Sequence, residues 1–114
     1  MKIIMKNIEL LASFELNKIV KSEKSKVVRK IFDGTRRQII SIELHNNEML
    51  SKHKASEPIT IFCLAGSGTF RAGRDLEDEQ KLVAGTLLTL EAEVEHEVVA
   101  EPEIHILLTK FRDV

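Results

Sequence analysis

HKASEPITIFCLAGSG, residues 53–68, opens on an imidazole, reaches a Glu57-Pro58 kink, runs through an apolar strand and stops at Gly66-Ser67-Gly68. Ile59 to Leu64 is apolar without alternation, the pattern of a strand covered on both faces. The Gly-Ser-Gly segment predicts a turn, with TFRAG as the returning strand. Upstream, VVRKIF and RRQIISIEL flank an Asp33-Gly34 turn, and Ile40, Ile42 and Leu44 alternate against Ser41 and Glu43. Period two split by Asp-Gly predicts a hairpin. Asn46-Asn47 is the next turn, and Met49 to His53 the short strand leaving it.

Downstream, Arg74 to Gln80 is charged and reads as a loop tip, and KLVAG turns at Gly85 into TLLTL. An acidic loop carrying Glu91, Glu93 and Glu95 leads to a strand from His96 to Ala100, a Glu101-Pro102 turn and a last strand from Ile104 to about Phe111. Roughly eight to ten short strands at this spacing describe an all-β sandwich or barrel. Residues 1–25 stand apart. Ile8, Leu11, Ala12, Leu16, Ile19 and Val20 sit near helical spacing, which fits a turn of helix or an edge strand, and Lys21 to Ser25 reads as a turn. The chain therefore divides into an N-terminal segment, 1–25, and a β-barrel, 26–114.

Composition narrows the function. A chain of 114 residues is one domain, large enough to bury a core without disulfides. With 17 Lys and Arg against 18 Asp and Glu, the net charge is -1. No basic surplus exists to displace counterions, so no nucleic-acid role is expected. The one Cys, Cys63, lies in the apolar run and suits a buried thiol in a cytoplasmic protein. Glu9 and Glu15 interrupt the apolar N-terminus, so neither a signal peptide nor a membrane span is expected. Trp and Tyr are absent, so a pocket here would be lined by aliphatic groups. P-loop, GxGxxG, CxxC and GxSxG patterns are absent too.

His53 with Gly66, followed by Gly85 and His96, resembles the two-part signature of the cupin superfamily, over residues 35 to 112. That resemblance implies a small single-domain, double-stranded β-helix (jelly-roll) barrel. In the first motif His53 matches, while Ala55 stands at the second His position and Ile59 at the Glu position. In the second motif Gly85 and His96 match, while Glu91, Glu93 and Ala100 replace the usual Pro, Gly and Asn. Small one-domain cupins with Ala at the second His position share this texture.

The resemblance implies a ligand pocket lined by His53, Ala55, Ile59, Ile61, Cys63 and His96. Intact cupins hold a divalent ion on three His and a Glu; here His53 and His96 remain, and Glu57 is a candidate substitute. Strand alternation puts Glu57 on the face of His53, although Pro58 breaks that parity. The expected cofactor is none or one divalent ion, Zn, Fe, Mn or Ni. Two functions stay open: a small-molecule-binding barrel with a depleted metal site, or a metal-dependent dioxygenase or isomerase of a small organic acid or ketone.

The remaining polar residues have plainer readings. His45 is expected as a solvated surface residue and His105 as an exterior one. Cys63 reads as inert packing, and Thr89 as a candidate for an inward hydroxyl. The Glu91 to Glu97 run reads as a solvated face. Thr60, Phe62 and Leu64 should point away from the barrel interior, towards another sheet or a partner, which suggests a homodimer.

Overall fold

The computed structural model describes residues 3–5 and 7–113, and alternation sorts them into nine strands and no helix. These are β1 (Ile3–Met5), β2 (Ile8–Leu10), β3 (Lys26–Asp33), β4 (Arg37–Leu44), β5 (Met49–His53), β6 (Ile59–Ala72), β7 (Asp78–Val83), β8 (Leu87–Leu90) and β9 (His96–Phe111). Seven of them form one sheet in the order β3-β4-β9-β6-β7, with β5 on β9 and β8 on β6. Every pairing is antiparallel.

The register shows which side chains are inside. Directly opposed residues share a face, so Ile40, Leu108, Ile61 and Leu88 form one row, and Ile42, Ile106 and Cys63 the next. Both rows belong to the core or pack on it. The alternate row, Ser41, Leu107, Phe62 and Leu87, lies on the other face. One core cluster collects Ile59, Ile61 and Cys63 from the start of β6 with Phe70 and Ala72 from its end. It likewise collects Val98, Ala100, Ile104, Ile106 and Leu108 along β9. A single sheet whose inner face meets itself in this way is curled into a barrel.

Two expected turns are absent, for one reason. β6 runs straight through Gly66-Ser67-Gly68, with register shifts between Cys63 and Ala65 and between Gly66 and Gly68. A side chain at Gly66, where φ is +81°, would strike the carbonyl oxygen of Glu103, and one at Gly68 that of Val99. The glycines therefore serve the close approach of β6 to β9 rather than a chain reversal. Glu101-Pro102, joined by a cis peptide, is likewise internal to β9. It faces the gap in the β6 ladder, where a missing N–H breaks no pairing, and Ser67 Oγ donates to Glu101 O at 2.6 Å.

Among its described residues the N-terminal segment is neither helical nor an edge of the main sheet. β1 and β2 pair only with each other, and Asn7 and Asn17 adopt positive φ, which a helix does not admit. Residues 11–25 then cross the outside of the barrel as a strap. Asn17 N–H donates to Leu64 O at 3.0 Å, and the Phe14 ring stands edge-on to His105 at 5.6 Å. Residues 1, 2, 6 and 114, which the sequence reading included in its two segments, lie outside the described residues.

Candidate functional site at the barrel mouth

Pairing of β5 with β9 sets His53 directly opposite His96, on the row that also holds Ala72 of the core. The two rings lie 4.3 Å apart between centroids, tilted by 56°. Each is anchored by its own chain: His53 Nδ1–H donates to Ser51 O at 2.7 Å and His96 Nδ1–H to Val94 O at 2.9 Å. A carbonyl only accepts, so the proton of each neutral ring sits on Nδ1 and the lone pair on Nε2. Phe70 stacks on His96 at 6.0 Å.

The pair is asymmetric. His53 is exposed, whereas His96 is buried, with 2% of its surface accessible. Burial lowers the basicity of His96; the Val94 carbonyl partly opposes this, and the charge of His53 adds to it. Lys52 and Lys54 flank His53 and pair across the mouth with Glu95 at 2.9 Å and Glu93 at 3.5 Å. The acidic run is thus a solvated, ion-paired rim. Glu97 departs from it, buried against Arg71 at 3.3 Å.

Ile59, Ile61 and Cys63 lie in the core, each at most 2% exposed, and Ala55 is half-buried against it. Aliphatic side chains therefore fill the barrel at these positions. Burial pushes the Cys63 thiol up in pKa, and its Sγ faces Ala65 O at 3.6 Å, which suits packing rather than thiolate chemistry. Glu57 is half-buried in a separate groove of about 410 Å³ with Ser56, Pro58, Phe111 and Arg112. Pro58 O accepts from Phe111 N–H at 3.0 Å, which ties this bend to the end of β9. Among the described residues no three His, Cys, Asp or Glu side chains gather as metal ligands. The imidazole pair thus lacks a third protein donor, fewer than a resident divalent ion ordinarily needs.

His45 and Thr89 sit differently from what the sequence implies, and His105 is more enclosed than an exterior residue need be. His45 is 2% exposed rather than solvated. Its N–H donates to Ser25 O at 2.7 Å, and its ring is held between two carboxylates, Nδ1 3.3 Å from Glu103 and Nε2 3.8 Å from Glu43. Asn46 and Asn47, which the sequence marks as a turn, both adopt positive φ directly after His45. His105 is on the exterior face as expected, yet half-buried, hydrogen-bonded through Nε2 to Ser41 Oγ at 2.7 Å. Thr89 opposes Thr60 on the outer face and is exposed, so its hydroxyl is not inside.

No protein-family model and no curated protein matches the chain. Solved structures do. A cupin superfamily protein from Desulfitobacterium hafniense superposes with a TM-score of 0.75 at 16% identity, over 88% of this chain and 97% of that one. An RmlC-like cupin from Desulfovibrio desulfuricans gives 0.73 at 20% identity, over 90% and 97%. An RmlC-like cupin with a double-stranded β-helix fold from Methanocaldococcus jannaschii gives 0.69 at 17% identity, over 86% and 90%. At such identities the likeness is one of fold, and it agrees with the register and core described above: the chain has the cupin fold, an all-β double-stranded β-helix.

Proposed function

We propose that the protein binds a small molecule at the barrel mouth through His53 and His96. The observation that carries this is the anchoring of both rings through Nδ1 to backbone carbonyls, which leaves the Nε2 atoms of two rings 4.3 Å apart without a hydrogen-bond partner among the described residues. Phe70 and the half-buried Leu50, Ala55 and Val94 supply apolar surface nearby. Such a site favours a compact neutral or acidic ligand that donates a hydrogen bond and sets an apolar body beside the rings. The filled interior keeps it at the mouth. A homodimer formed through the outer face of β6, β8 and β9 and a cytoplasmic location, consistent with the buried free thiol, complete the proposal.

A metal-dependent dioxygenase or isomerase is the second reading. Neutral imidazoles anchored through Nδ1 are the form in which histidine binds a metal, which favours it; the missing third donor counts against it. Metal analysis of untagged protein, together with a thermal-shift screen of small hydroxyl and carboxyl compounds, separates the two. The binding reading expects ligands that raise the melting temperature of the wild type but not of His53→Ala, with no stoichiometric metal. One bound ion per chain, lost on His53→Ala, would support the enzyme reading instead. A screen in which every compound that raises the melting temperature does so equally in His53→Ala and in the wild type would remove the mouth as a binding site.

A further inference from the structure

Beneath the strap, on the face of β9 opposite to His96, two adjoining cavities of about 410 Å³ and 260 Å³ share Phe14, Val20 and His105 as walls. Val27 of β3 adds apolar surface to the smaller one. The polar groups are unevenly satisfied. Lys18 is paired with Glu15 at 2.8 Å. Arg29 is only loosely matched, with Nη1 3.8 Å from Glu43 Oε2, beyond hydrogen-bond distance, and Lys21 has no ion-pair partner among the described residues. Three cations thus meet two carboxylates, and two of the cations keep their hydrogen-bonding capacity. His105 is fixed through Nε2 to Ser41, which leaves Nδ1 without a hydrogen-bond partner among the described residues. Burial lowers the basicity of this ring; Glu43 opposes, and Arg29 and His45 add to the lowering, so it enters the site as neutral imidazole.

We infer that this cleft is a second ligand site, outside the barrel, for a small aromatic carboxylate. The flat ring lies among Phe14, Val20 and Val27, and the carboxylate takes hydrogen bonds from Arg29 and Lys21. His105 Nδ1–H donates when Nε2 accepts from the Ser41 hydroxyl, so a neutral His105 still contributes a directed donor. The cavity volumes suit one ring with one charged group. The site is independent of the His53–His96 pair, because alternate faces of β9 carry the two.

The test is a titration of the full chain with sodium benzoate, read by amide chemical shifts and by melting temperature. Saturable shifts at Phe14, Val20, Val27 and His105 are expected, and benzyl alcohol, which lacks the charge, should bind about tenfold more weakly. Arg29→Ala and Lys21→Ala, both on exposed side chains, should each weaken benzoate by about tenfold, and His53→Ala should leave it unchanged. The proposal is overturned by the absence of saturation up to about 10 mM, by equal binding of benzyl alcohol, by full affinity in Arg29→Ala, or by shifts centred on His96 and Val98.

Discussion

Two of the four histidines, His96 and His105, lose basicity chiefly through burial. In the unfolded chain each titrates near about 6.5, and in the folded protein lower, so between the two values the unfolded state binds more protons. Their contribution to stability is therefore complete above the ordinary imidazole range and is lost as pH falls through it towards the folded value. The urea midpoint should decline between about pH 7 and pH 5, above the range in which ordinary carboxylates protonate. His96→Phe, which keeps a ring beside Phe70, should flatten part of that decline, and an unchanged slope would remove burial of His96 as its cause. The mouth pair was legible at this scale because His53 with Gly66, and Gly85 with His96, keep a motif's spacing. His45 was not, since its burial comes from Ser25 and Glu103, which are distant in sequence.

The glycines tell apart close approach from turn geometry. Gly66 combines positive φ with backbone contact, Gly68 has the contact without the φ, and Gly85 has φ +94° with nothing within 4 Å of its would-be side chain. Gly66→Ala should therefore cost roughly 3 kcal/mol or prevent folding, and Gly68→Ala should approach it. Gly85→Ala should cost only about 1 kcal/mol, the strain of a left-handed residue. Equal losses at Gly66 and Gly85 in denaturant titrations would mean that the β6–β9 approach is not what Gly66 protects. The alternation in β4, the continuous apolar run in β6 and the Asp-Gly and Asn-Asn turns made most strands readable. Gly-Ser-Gly and Glu-Pro misled because the same residues that reverse a chain also let two long strands bulge past each other, and only pairing decides between these uses.

At the scale of the molecule, the barrel followed from period-two patterning, but the strap did not, because tertiary contacts rather than local periodicity hold it to Leu64 and His105. The outer face bears on assembly. Phe62 and Leu107 are half-buried there, and beside them Leu87 and Val83 leave 66% and 56% of their surface in water. The row Thr109, Thr60 and Thr89 continues this surface without a charge. Uncharged rows of β-branched and large apolar side chains across three strands suit a self-complementary two-fold contact, in which the same patch serves both copies. Light scattering behind gel filtration should accordingly give twice the protomer mass over a wide concentration range. Leu87→Lys places a charge in the middle of that contact while altering an exposed side chain, so it should yield monomers that retain the melting behaviour of a folded barrel. A wild type that runs as a monomer at every concentration, or a Leu87→Lys variant that stays dimeric, would show that this face meets solvent and that the apolar surface has another use.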